Sequence, residues 1–151
     1  MFIEKHLKNA SSKGFLKLEK VFELEANAEI LIDLRKELRS LLRQAGWNEK
    51  SMDEIVLSVD EALTNVIRHA YTGVRGPIRL TFRDSKEKTE IVIEDYGKKF
   101  DPTLVPKPKL PREKPGGLGV HLIRTIMDEL IYDKNFLEGN RLCMIKRKPQ
   151  G

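Results

Sequence analysis

Glu61 and Asn65 stand four residues apart in a segment whose apolar residues recur at helical spacing, so their side chains leave one helix face in adjacent turns. At about 100° per residue, both fall on the border of the stripe made by Ile55, Val59, Ala62, Val66 and Ala70. A carboxylate and an amide at the edge of a core can serve one ligand. The amide oxygen suits a magnesium ion, and the carboxylate can take a proton from an attacking hydroxyl. Taken alone, Glu-x-x-x-Asn more often describes a solvated helix face or a cap.

Two further stretches carry chemistry. Asp95-Tyr96-Gly97 ends an apolar strand abruptly. It reads either as a plain turn or as a carboxylate that accepts from the exocyclic amine of a buried base, with Gly97 allowing close backbone approach. Gly116-Gly117-Leu118-Gly119 directly precedes a helical pattern. Glycine-rich backbone at a helix N-terminus offers free N–H groups and a favourable dipole to phosphate oxygens; a flexible hinge is the other account. The stretch lacks the Lys-Ser/Thr ending of a P-loop and does not follow a strand closely enough for a dinucleotide-binding turn.

The elements that must position these residues follow from periodicity. Residues 14–24 alternate apolar with charged, which predicts a half-buried outer strand. Ile30, Leu34, Leu38, Leu41 and Leu42 predict an amphipathic helix, with Asn27 as N-cap and Gly46 as its stop. Ser51-Met52-Asp53-Glu54 matches a capping box for the helix that carries Glu61 and Asn65. Residues 78–83 and 90–95 read as an antiparallel pair around a turn at 84–88. Five prolines between 102 and 115 predict a loop without regular structure, a lid over residues 102–116. A third helix over 120–130 and strands at 131–132 and 141–145 close the chain, and residues 1–13 are expected to be disordered.

Composition narrows the function classes. At 151 residues and 40% apolar content, one soluble globular domain over 1–151 is expected. No apolar run approaches the roughly 20 residues of a membrane span, and the N-terminus does not resemble a secretory signal, so a cytoplasmic protein without membrane contact is expected. The charge of +5 is dispersed among acidic residues, with only Lys146-Arg147-Lys148 as a block, which argues against direct nucleic-acid binding. Cys143 stands alone, without a disulfide partner or a zinc cluster, and reads as a quiet strand residue.

Read in order, Glu61 to Tyr71, Asp95-Tyr96-Gly97 with Phe100-Asp101-Pro102, and Gly116 to Arg124 resemble the N, G1 and G2 boxes of the GHKL ATPase superfamily, which also contains gyrase and the histidine kinases. The specific resemblance is to its anti-sigma-factor serine kinases, and it spans nearly the whole chain from the first strand, with Gly139-Asn140-Arg141-Leu142 as the closing turn and strand. The resemblance implies an α/β two-layer sandwich with helices on one face of a mixed, mostly antiparallel sheet. It implies ATP and Mg2+ as cofactors, with Glu61 as general base and Asn65 as the metal ligand. Asp95 would bind the adenine amine and Gly97 would shape its pocket. Gly116, Gly117, Leu118 and Gly119 would wrap the triphosphate. The expected reaction is phosphoryl transfer to a serine of a STAS-domain anti-sigma-factor antagonist, by a protein that also holds a sigma factor and commonly forms a homodimer. The added charge on that serine can dissolve its interface.

Two departures qualify the match. Lys98-Lys99 stands where many relatives have a second glycine, which stiffens the base pocket or the lid hinge. Pro115 replaces an arginine that meets the terminal phosphate in some relatives, leaving Lys114 or Arg112 as the cation for that place. These departures keep open a nucleotide-dependent binding module that regulates its partner without phosphoryl transfer. His69 and His121 read as packing or surface residues, and Trp47 as a core plug.

Overall fold

The computed structural model describes residues 3–8, 16–106 and 118–150. Period-2 alternation in β2 (Leu16–Glu25), β3 (Pro77–Ser85), β4 (Lys88–Asp95) and β6 (Asn140–Arg147) turns one row of side chains inward at every second residue. The sheet adds β1 (Ile3–Lys8) and β5 (Glu129–Tyr132), in the order β1-β2-β3-β4-β6-β5. Each of its five pairings is antiparallel.

Register fixes which residues share the inner face. Phe22 lies opposite Leu80, Leu80 opposite Ile93, and Ile93 opposite Leu142. All are buried, and they join one apolar core with the helices α1 (Ile30–Gln44), α2 (Glu49–Asn65) and α3 (Leu118–Ile126). Leu34, Leu38 and Leu42 from α1, Ile55, Val59 and Leu63 from α2, and Ile123 from α3 are each at most 1% exposed. Burial of that many branched side chains, at about 1.5–3 kcal/mol each before entropy, is what holds helices to sheet. The opposite face carries Glu23, Arg79, Glu94 and Arg141 in the next row, tied by Arg79–Glu23 at 2.8 Å and Arg141–Glu94 at 2.9 Å. This is the expected two-layer α/β sandwich with helices on one face.

Several boundaries differ from the sequence pattern for local reasons. Ile3–Lys8, expected to be disordered, forms an edge strand beside β2, so β2 is not the outer strand. A short, mostly polar segment has little local stability, and its partner's free edge recruits it. The cap of α2 is Asn48, whose side chain accepts the Ser51 N–H at 2.8 Å; Ser51 lies inside the helix, and the capping box at 51–54 is not used. The side chain of Asn27 accepts the Glu29 N–H, just ahead of α1, and Gly46 adopts φ +93° after it. The third helix ends at Ile126, and β5 begins at Glu129. Trp47 is buried, and its indole N–H donates to Thr89 Oγ1 at 2.8 Å.

Candidate functional site

Helix α2 continues past Asn65 into a π-turn, Val66–Ala70, closed by the Tyr71 N–H on the Val66 carbonyl at 3.0 Å. A π-turn widens a helix and frees its last turn to meet other elements, a device concentrated at functional sites. Here the Ala70 carbonyl accepts from Lys98 N–H at 2.8 Å, which pins the turn after β4 against the helix end. Gly97 is required at that contact, because a Cβ there would stand 2.5 Å from the Ala70 carbonyl oxygen. Its need for a glycine is set by the protein itself. The Tyr71 hydroxyl donates to the Pro77 carbonyl and accepts from the Tyr96 N–H at 2.9 Å, locking the same corner from the other side.

Asp95 closes β4 on the inner face and is 1% exposed. Its Oδ1 accepts from the Gly97 N–H and from Asn140 Nδ2, each at 2.9 Å, while no described donor reaches Oδ2. Register puts Asn140 directly opposite Asp95. The Asn140 amide is saturated: Nδ2 also donates to the Lys98 carbonyl at 2.8 Å, and Oδ1 accepts from Phe100 N–H at 2.9 Å and from the Tyr132 hydroxyl at 2.5 Å. Burial pushes the Asp95 carboxyl above the ordinary aspartate range, against the opposing hydrogen bonds from Asn140 and Gly97 and the nearby charge of Lys99. Beside it opens a mostly apolar slot lined by Ala62, Val66, Ile93, Pro102 and Leu142. An apolar slot ending in a carboxylate suits a heteroaromatic ring that carries an amine.

Asn65 and Phe100 line both this slot and a second, more open groove. Glu61, Arg68, His69 and Gly119 line the groove alone. A Cβ at Gly119 would run into the Glu61 carboxylate as it stands, so the start of α3 and the last turns of α2 meet closely there. Asn65 Nδ2 is buried without a hydrogen-bond partner. A buried amide nitrogen in that state costs free energy until something meets it. The His69 ring stacks on Phe100 with centroids 4.3 Å apart, which makes His69 a wall of the groove.

The structure therefore gathers Glu61, Asn65, Asp95 and Gly119 around a slot and a groove that share Asn65 and Phe100, while Gly97 holds the Asp95 carboxylate and the helix end without lining either. The backbone of Leu118 opens α3 beside them. Lys114, Gly116 and Gly117 lie outside the described residues, as does the lid from 107 to 116. The expected loop without regular structure begins instead with a 3-10 turn, Pro102–Leu104, and Arg124 on α3 donates to the carbonyls of Thr103 and Val105. Lys99, at the place of the missing glycine, donates from Nζ to the carbonyls of Phe136 and Gly139 and so ties the turn after β4 to the β5–β6 loop. Asn140, Tyr132, Lys99 and Arg124 carry no assignable role in the sequence alone, because each acts on a residue 8 to 45 positions away.

A carboxylate-ended slot and a groove between two helices, both on the helical side of an antiparallel sheet, mark an α/β sandwich with a cleft between its layers. The model of the histidine kinase-like ATPase domain matches residues 24–146, and the chain belongs to that family. Its relatives include the serine/threonine-protein kinase BtrW of Bordetella bronchiseptica, 32% identical over 117 residues that cover 74% of this chain and 82% of the relative. The serine-protein kinase RsbW of Staphylococcus epidermidis is 32% identical over 133 residues, 82% of each chain. The RsbW of Bacillus mycoides is 29% identical over 126 residues, 76% of this chain and 77% of that one. Among the described residues, no helix is long and apolar enough to cross a membrane.

Proposed function

We propose that this chain is an ATP-dependent protein serine kinase that phosphorylates a STAS-domain anti-sigma-factor antagonist and, in turn, sequesters a sigma factor. One observation carries the reading: Glu61, Gly119 and the orphaned amide of Asn65 line a groove that shares Asn65 and Phe100 with the Asp95 slot. ATP fits the donor set. The free Oδ2 of Asp95 would accept from the adenine amine, and the apolar slot would hold the ring. Asn65 is the described residue suited to a magnesium ion; turning its amide by 180° exchanges nitrogen for oxygen at the buried position. When bound, ATP supplies the phosphoryl group and the metal offsets part of the phosphate charge. Glu61 takes the proton of the attacking serine hydroxyl, and the start of α3 offers backbone N–H groups to phosphate oxygens. The resemblance of the relatives, which are named serine or serine/threonine kinases, supports the choice of a serine acceptor.

Incubation with magnesium, labelled ATP and a candidate STAS-domain protein tests the reading. Labelling of a partner serine is expected, and a folded protein that binds ATP yet labels none would overturn the kinase half. A second reading, regulation by nucleotide-dependent binding alone, is favoured by the Lys99 anchor, which ties down the turn where the family resemblance places a second glycine in many relatives. Glu61→Ala separates the two. Partner regulation that survives it unchanged belongs to a binding module.

A further inference from the structure

The loop between β5 and β6, residues 133–139, is held to its own hairpin by local bonds. The Asn135 N–H donates to Asp133 Oδ1 at 2.9 Å, and the Arg141 guanidinium pairs with Asp133 at 3.0 Å while it lies 4.3 Å over the Phe136 ring. None of these residues lines the slot, yet the loop runs directly behind it. A Cβ on Gly139 would stand 2.0 Å from the Asp95 carbonyl oxygen, so the loop and the end of β4 meet backbone to backbone. Lys99 crosses from the turn after β4 to this loop, where its Nζ donates to the carbonyls of Phe136 and Gly139. Two carbonyls that converge on one point repel each other, and an ammonium, with three hydrogens and no acceptor, offsets that repulsion. A long side chain gives up rotamer freedom to stand there, and two charge-assisted bonds are what hold it.

Resting on the nucleotide reading above, we infer that Lys99 is a positioning residue that joins the β5–β6 loop to the base slot and sets how long a bound nucleotide stays. The route from Lys99 to the slot is short. Its chain neighbours Lys98 and Phe100 are both hydrogen-bonded to the Asn140 amide, which also donates to the Asp95 carboxylate, and Phe100 is a wall of the slot. Asn140 in turn follows Gly139, whose carbonyl Lys99 holds. Turn, Asn140 and loop thus form a closed ring of bonds, and the exposed Lys99 is the link on its solvent side. A base seated against Asp95 leaves when the walls part, and moving Phe100 pulls on Asn140 and on the loop together. The slot is already arranged in the free protein, so the tie slows departure more than arrival. A glycine in place of Lys99 would leave the turn without it. Two other accounts predict different behaviour. A brace for the fold alone changes stability and leaves ligand residence as it was. A lysine that attracts anionic nucleotides from a distance changes affinity in step with phosphate number.

Release of fluorescent N-methylanthraniloyl-ADP from the full chain, chased with unlabelled ADP in the presence of magnesium, reads residence, and calorimetry with adenosine, ADP and ATP reads affinity. In Lys99→Met, release is expected to be about 3- to 10-fold faster with association changed by less than about twofold, as for loss of a partly exposed charge-assisted contact. Adenosine, ADP and ATP are expected to lose the same factor in affinity, because the tie acts on the base. Lys99→Arg, which keeps the charge and the donors, is expected to restore most of the slow release. Lys99 is exposed, and a cooperative thermal transition would establish that the variants fold. In the unaltered chain, adenosine alone is expected to slow amide hydrogen exchange across residues 133–139, a check that needs no variant. Unchanged release from folded Lys99→Met overturns the inference, and so do losses graded from adenosine to ATP, or exchange at 133–139 that adenosine leaves untouched. If the unaltered chain binds none of the three ligands, the nucleotide reading itself has failed, and this inference with it.

Discussion

The slot at Asp95 and the groove at Glu61 share two lining residues and differ in nearly everything else. In the slot, hydrogen bonds are already made. Asn140 uses each of its hydrogens and both acceptor directions, and it holds Asp95, Lys98, Phe100 and Tyr132 in one arrangement. In the groove, Asn65 Nδ2 and Arg68 have no partner among the described residues, and Glu61 lies against Gly119. A base is rigid and is recognised by its edge, so a saturated, preorganised pocket selects it with little ordering cost. Phosphates must be bound, moved and released, and polar groups left unsatisfied in the free protein can be met differently at each step.

The sharpest way to break the comparison is at the groove. Glu61→Ala or Glu61→Gln is expected to lower phosphoryl transfer by about 10²- to 10⁴-fold while ATP affinity changes little, read as single-turnover rate against calorimetric affinity. Equal losses in both would make Glu61 a binding residue instead. Next comes the slot. Asn140→Ala removes the shared partner of a buried carboxylate and two main-chain groups, and should cost about 2–4 kcal/mol of stability in urea unfolding, together with most of the affinity for adenosine. An Asn140→Ala protein of normal stability would mean that the slot is not preorganised by this network.

A smaller effect comes from pH. Burial raises the Asp95 carboxyl in the folded chain, so the folded state holds its proton more tightly than the unfolded one. The contribution of this group to stability therefore grows as pH falls through the folded value toward the unfolded one, and declines as pH rises. Adenosine affinity should move oppositely, because a protonated carboxyl gives up acceptor capacity at the slot. It should weaken on mild acidification, at a pH above the usual aspartate titration, and Asp95→Asn should abolish that dependence. The smallest expected effect lies on the other face of the sheet. Burial pushes the Cys143 thiol up to about 11, so alkylation by iodoacetamide at pH 8 should be slow and should leave nucleotide binding unchanged.

Local pattern already determined much of this molecule. The period-2 rows of β2, β3, β4 and β6 and the leucine stripe of α1 are written in residues that touch their near neighbours, and so is the four-residue spacing of Glu61 and Asn65. The order of the glycine- and aspartate-bearing boxes added a family, and with it the expected sandwich. Tertiary structure decided what depends on alignment between distant segments. Antiparallel register sets Asn140 against Asp95, and a side chain reaching across to the β5–β6 loop turns Lys99 into an anchor. The free edge of β2 makes a strand of residues 3–8. Whether an arginine is paired depends on which carboxylates the fold brings near it, and no spacing along the chain encodes that for Arg68.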